Sequence, residues 1–236
     1  MKNAIRLIAA SAFMVCAGAA FSQNSQTAEP RNVVQLSASG TVEVQQDLLV
    51  LALSTSKEGA DAASTQAQLK QALDAALAEA KRNAQSGQMD VRTGPFGLYP
   101  RYGKDGKING WQGRAELVLE GRDFARITQA AARASSLTIG NVSFGLSREQ
   151  RARVEGEAQA LAIERFKAKA AEIAKAFGFA GYTLREVSVS SDDSGFQPRM
   201  YGMAKEARAM AADAPVPVEP GKSIVQVTVS GSVQAR

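Results

Sequence analysis

The chain has 236 residues, 45 % of them hydrophobic, with 28 basic and 23 acidic side chains for a net charge of +5. That length can bury a core without staples, as one domain or two small ones, and the weak, scattered positive bias does not argue for nucleic acid. There is no histidine and a single cysteine, Cys16; once the segment holding Cys16 is removed, imidazole bases, thiolate nucleophiles and His or Cys metal ligands are all excluded.

That segment reads as an export signal. Lys2 and Arg6 precede an apolar run from Leu7 to Ala20, and small residues cluster at Ala17, Gly18, Ala19, Ala20 and Ser22. Charge, apolar run and small-residue cleavage site occur in the order of a secretory leader. The run falls short of the ~20 residues a membrane span needs. Cleavage after Ser22 satisfies the small–x–small rule, and cleavage after Ala19 or Ala20 does nearly as well. Phe13, Met14 and Val15 make a poor lipobox before Cys16. The expected product lies in the periplasm, or is secreted or outer-membrane associated, with no transmembrane span after cleavage. Residues 23–32 are polar and read as a flexible arm before a domain over 33–236.

Beyond the arm, Val34, Leu36 and Ala38 alternate with polar residues up to Gly40, then Val42 and Val44 resume. This predicts a strand with a Ser-x-x-Gly turn at Ser37–Gly40. Leu49, Leu51 and Leu53 carry a second strand that Gly59 breaks. From Asp61 the period becomes helical, with Leu69, Leu73, Leu77 and Ala80 on one face and a Lys70–Asp74 pair on the other. Met89 to Tyr102 reads as extended. Asp105-Gly106 is a hairpin signal, and the return strand turns Ala115, Leu117 and Leu119 inward. Asp123 is placed to cap a short helix with Phe124, Ile127 and Ala131 facing the core. Val142, Phe144 and Leu146 alternate as a strand. Ser147 and Gln150 have the spacing of a capping box before a long helix whose apolar face is read as Val154, Leu161, Ile173 and Phe177, stopped by Gly178. Leu184, Val187 and Val189 predict a strand. Val225, Val227, Val229 and Val233 predict the last one. Between them, residues 191–222 read as a long mobile loop rich in Ala, Met and Pro.

Paired strands interrupted by helices predict an α+β fold: an antiparallel sheet with two long helices and one short helix packed on one face. Strand pairs beside a long helix in both halves hint at an internal duplication.

The order of these features resembles the SIMPL-domain family of exported bacterial proteins. The resemblance rests on Ser37–Gly40 with Val42-Glu43-Val44, Asp47 and its apolar strand, and the Ala-rich helix of residues 60–80. It continues through Leu98-Tyr99-Pro100-Arg101-Tyr102, Asn141 to Ser147, the long Ala-rich helix, and Glu219-Pro220-Gly221 before the closing strand. It implies an exported, often oligomeric α+β protein, with family-level links to envelope stress and immunogenicity and no established catalytic residues.

Several residues suggest sites. Tyr99, Tyr102 and Trp111 flank the hairpin and could stack on a sugar or form a partner surface; cross-strand packing on a sheet face is the favoured reading. Met200 and Met203, with Met210, offer thioethers that suit Cu(I) or sacrificial oxidation, or an adaptable contact surface. Glu43, Asp47 and Glu116 are acids without a spacing that pairs them for glycoside hydrolysis. Asp192 and Asp193 lack EF-hand spacing. The resulting expectation is a non-enzymatic envelope protein, without cofactor or metal, that assembles with itself or with envelope partners. The alternatives are a carboxylate-dependent glycan-acting enzyme or glycan-binding module, and a methionine-based oxidant or copper buffer.

Overall fold

A computed structural model describes residues 31–192 and 217–236. Its elements are β1 (Val33–Gln45), β2 (Leu48–Gly59), α1 (Ala62–Asn83), β3 (Met89–Tyr102), β4 (Ile108–Gly121), α2 (Phe124–Arg133), β5 (Thr138–Gly145), α3 (Arg148–Ala176), β6 (Tyr182–Asp192) and β7 (Lys222–Ala235). The α+β class, the antiparallel pairing and the three helices agree with the sequence reading. The strands divide into two sheets, however: sheet I in the order β1-β7-β6 and sheet II in the order β3-β4-β2-β5. Periodicity shows that a segment is a strand but carries no record of its partner. β1 and β2 follow one another with only Gln46 and Asp47 between them, yet they pair in different sheets.

Each sheet carries its own helices. α1 and α2 pack on sheet II, and α3 packs on sheet I, chiefly over β1 and β7. The same connectivity occurs twice. β2, α1, β3 and β4 form a β-α-β-β unit in which the last strand lies between the other two, all antiparallel. β1, α3, β6 and β7 repeat that order in sheet I. The second unit is split, because the whole of the first is inserted after β1. The duplication hinted at by the element order is therefore visible in topology.

Helix ends follow the predicted chemistry. Asp61 caps α1 by accepting from the Ser64 N–H at 2.8 Å, and Asp123 caps α2 by accepting from the Arg126 N–H at 3.0 Å. Orphan helix donors are satisfied this way. Hydrogen bonds from the Ser64 hydroxyl and N–H hold the Asp61 carboxyl below its ordinary range, and the Arg126 N–H does the same for Asp123. At the end of α3, Gly178 takes φ +82°. Its N–H reaches the Lys175 carbonyl, and the Phe179 N–H reaches the Ala174 carbonyl. This is a Schellman stop, and the positive φ is why glycine stands there.

Two sequence readings in sheet I need correction. Gly40 does not turn the chain. β1 runs unbroken from Val33 to Gln45, and a Cβ at Gly40 would collide with the Ala158 carbonyl and come within 2.7 Å of the Ala162 nitrogen. Gly40 marks a close approach of α3 to the sheet, a use of strand glycine that periodicity cannot tell from a break. For the same reason the face of α3 is not the one its large apolar residues suggested. The buried residues are Val154, Ala158, Ala162, Phe166, Ala170 and Ala174, while Leu161 is 38 % and Phe177 73 % exposed. A helix this near a sheet seats mostly alanines at four-residue spacing, with Val154 and Phe166 the larger residues of that row.

The edge of β1 is closed by charge. Arg165 Nη1 of α3 donates to the Ser39 carbonyl at 2.7 Å, and Lys169 Nζ donates to the Ser37 carbonyl at 3.1 Å. Cationic side chains on a strand edge deter further pairing.

Candidate functional site

Of the three acids singled out in the sequence, the structure gives each a separate cation. Glu43, on β1, pairs with Lys222, and this hydrogen bond holds the Lys222 ammonium above its ordinary range. Glu116, on β4, has Arg114 at 3.7 Å. Asp47 stands at the junction of the two sheets. Its Oδ1 accepts from the Ser147 N–H at 2.7 Å, its Oδ2 accepts from the Ser147 hydroxyl at 2.6 Å, and Arg122 Nε lies 3.3 Å from Oδ2.

Ser147 is the N-cap of α3 and is buried. Its hydroxyl accepts from the Gln150 N–H at 3.2 Å, the first half of a capping box. The second half is not supplied by Gln150, whose Oε1 instead accepts from Arg153. Asp47, distant in sequence, takes that place. Beside it, buried Gln46 accepts from the Gly221 N–H at 3.1 Å and donates to the Ser223 hydroxyl at 3.1 Å. Two consecutive residues therefore tie β5, α3 and the start of β7 to the crossing between sheets. Asp47→Ala should cost about 3 kcal/mol, because a buried N–H loses a charge-assisted partner. Asn, which keeps one acceptor, should cost less. A urea midpoint unchanged in Asp47→Ala would show that water replaces the carboxylate.

The hairpin aromatics do not gather on one face. Residues directly opposite across a ladder share a face, and neighbours along a strand alternate. Tyr99 lies opposite Gln112, while Trp111 lies opposite Pro100 and Gly59. A Cβ at Gly113 would meet Leu69 of α1, which puts Trp111 on the helix side and Tyr99 on the open side. Tyr99 and Tyr102 are each 65 % exposed. Pro100 lies on β3, an edge strand as expected. Beside Tyr99 the open face dips into a concavity of about 620 Å³ that reaches Arg114 of β4, Ser54 and Ser56 of β2, and Thr138 of β5. Sequence reasoning missed Gln112 as a partner of Tyr99. The register shifts by one residue between Arg101 and Tyr102, so counting outward from the Tyr102–Ile108 pair would have set Tyr99 opposite Trp111.

The remaining candidates are only partly described. Met200, Met203, Met210 and Asp193 lie outside the described residues, as do the leader and the arm through residue 30. Of the 191–222 stretch, Ser191 and Asp192 belong to β6, and residues 217–221 lead into β7. Among the described residues, no helix is long and apolar enough to cross a membrane, and no three acids, histidines or cysteines converge as metal ligands.

These observations define an α+β protein built from two β-α-β-β units, with a polar face of each sheet left open among the described residues. The profile of SIMPL, "Protein of unknown function (DUF541)", matches residues 34–233, and the chain belongs to that family. No curated protein matches it. Among solved structures it is similar to AtUAH in complex with (S)-hydroxyglycine, at 14 % identity and a TM-score of 0.26 over 55 % of this chain and 34 % of that one. It is similar also to AtUAH in complex with glyoxylate, at 13 % identity and 0.24 over the same shares. The chain thus spans about a third of AtUAH, and a likeness this slight carries no argument.

Proposed function

We propose that this SIMPL protein is an exported, non-enzymatic envelope protein that assembles with copies of itself or with envelope partners. The observation that carries the reading is an uncovered apolar row on β6. Leu184 is 52 % exposed, and Val187 and Val189 are 46 % exposed each. All three lie opposite residues of β7 on the α3 side of sheet I, but α3 lies chiefly over β1 and β7 and meets β6 lightly, Tyr182 reaching the Lys167 carbonyl. β6 is an edge strand. An edge with free backbone groups and an apolar row is suited to strand addition or face packing by another chain. The charge-capped edge of β1 offers no such opening.

The leader pattern of residues 1–22 supports export to the periplasm. The lack of histidine, and of cysteine beyond Cys16, supports a role without nucleophilic or imidazole chemistry. The link to envelope stress rests on the family resemblance alone. Light scattering of the mature protein over a range of concentrations is the test. A defined oligomer is expected, and Val187→Asp with Val189→Asp should reduce it to monomer without lowering the melting temperature, since both side chains are half-exposed. A monomer at every concentration would count against assembly with itself.

A further inference from the structure

Going beyond the assembly reading, we infer that the open face of sheet II binds a saccharide carrying a carboxylate, in the concavity beside Tyr99. Three features of the floor and walls carry this. First, the hollow is made by small residues. Gly97 and Ser56 flank Arg114 in its cross-strand row and Ser54 lies in the row beside it, so the face is low on either side of Arg114. Second, one wall is an aromatic ring. The phenol end of Tyr99 folds back over Gly97, where a Cβ would stand 2.8 Å from its hydroxyl oxygen, yet the residue keeps most of its surface open to solvent. An apolar ring with a polar tip meets both the C–H face and the hydroxyl rim of a sugar. Third, some of the hydrogen-bonding groups around the ring have no competing partner, although the Ser56 hydroxyl donates to the Gly113 carbonyl and the Thr138 hydroxyl to the Ser54 carbonyl. Among the described residues, the Gln112 amide and the Ser54 hydroxyl donate to no other group. Arg114 has only Glu116, at 3.7 Å, beyond hydrogen-bonding distance.

Charge selects the ligand class. Among the described residues lining the hollow, Arg114 alone is charged, Glu58 beyond Gln112 in the Tyr99 row being paired with Arg101, and a guanidinium binds a carboxylate bidentately in a fixed plane. A ligand carboxylate on Arg114 would take the place that Glu116, at 3.7 Å, fills poorly. The contrasting hollow on sheet I, about 470 Å³ lined by Ser37, Ser188, Ser230 and Glu186, has hydroxyls but no aromatic ring, and its charge is of the wrong sign.

The test is calorimetric titration of the mature protein with a galacturonate oligomer, its neutral galactose counterpart and an oligo-glutamate peptide. The acidic sugar should bind more tightly than the neutral one, and the peptide should not bind. Tyr99→Ala should weaken binding by about tenfold, the scale of one lost stacking contact. Arg114→Gln should abolish the preference for the acidic sugar. Tyr102→Ala, equally exposed but outside the hollow, should change nothing. If Tyr99→Ala fails to fold, Gln112→Ala serves in its place, since that exposed amide supports no other group. No binding of the acidic sugar, equal binding of oligo-glutamate, or an equal loss from Tyr102→Ala would each overturn the inference.

Discussion

Gly40→Val is expected to destroy sheet I. The methyl groups would be driven into the Ala158 carbonyl and the Ala162 nitrogen. These are backbone atoms of a helix and cannot rotate aside as a flexible side chain can. Overpacking a core costs ~1–3 kcal/mol when side chains absorb it. Here the whole of α3 would have to lift, releasing contacts along Ala158, Ala162, Phe166 and Ala170. The loss should exceed ~3 kcal/mol, a large part of a typical stability of ~5–15 kcal/mol. Gly40→Ala should act in the same direction and less strongly. Circular dichroism melts of the secreted protein decide the matter. A wild-type melting temperature for Gly40→Val would mean that α3 does not bear on β1 as closely as described.

Val227→Asp should be comparably damaging by a different route. Val227 lies directly opposite Gly40 in the register of β1 and β7 and is 2 % exposed. The change removes ~1.5–3 kcal/mol of apolar burial and puts a carboxylate into a buried apolar site, which costs more again. The expected result is an unfolded domain or a collapsed secreted yield. Val227→Thr, near-isosteric with a hydroxyl that can reach a backbone carbonyl, should be far milder. Normal urea unfolding of Val227→Asp would show β7 to be peripheral, against its central place between β1 and β6.

What could be read from residues alone was local. The Leu49-Leu51-Leu53 alternation, the Asp105-Gly106 turn, the Asp123 and Ser147 caps and the Gly178 stop each depend on a few neighbouring residues, and each lies where expected. The readings that failed depend on what approaches from far along the chain. Gly40 looks like a break until α3 is known to lie on it. Leu161 and Phe177 look like core until the alanine face is seen to be the one that fits. The division into two sheets turns on Gln46 and Asp47, whose partners Ser147, Gly221 and Ser223 have no local signature. The candidate site was half legible. Tyr99 stood out as an aromatic beside a hairpin. Gln112, Arg114 and Ser54 come to it only through the pairing of β3, β4 and β2, and Trp111, which seemed to belong with Tyr99, is turned to the other side.

The first and last strands of the fold are neighbours. Val33 lies opposite Gln234, the Ala235 N–H bonds the Asn32 carbonyl at 2.9 Å, and Arg236 exchanges two backbone hydrogen bonds with Gly181. The domain therefore fastens like a clasp, and whatever is joined at either end leaves from the same corner. A short bridge between these ends would turn the polypeptide into a ring, and the ring could be reopened at the exposed Asp105-Gly106 turn without cutting a buried strand. The sequential order of the strands and their spatial arrangement are separable in this protein: moving the start of the chain would rejoin the split second unit and leave every ladder in place.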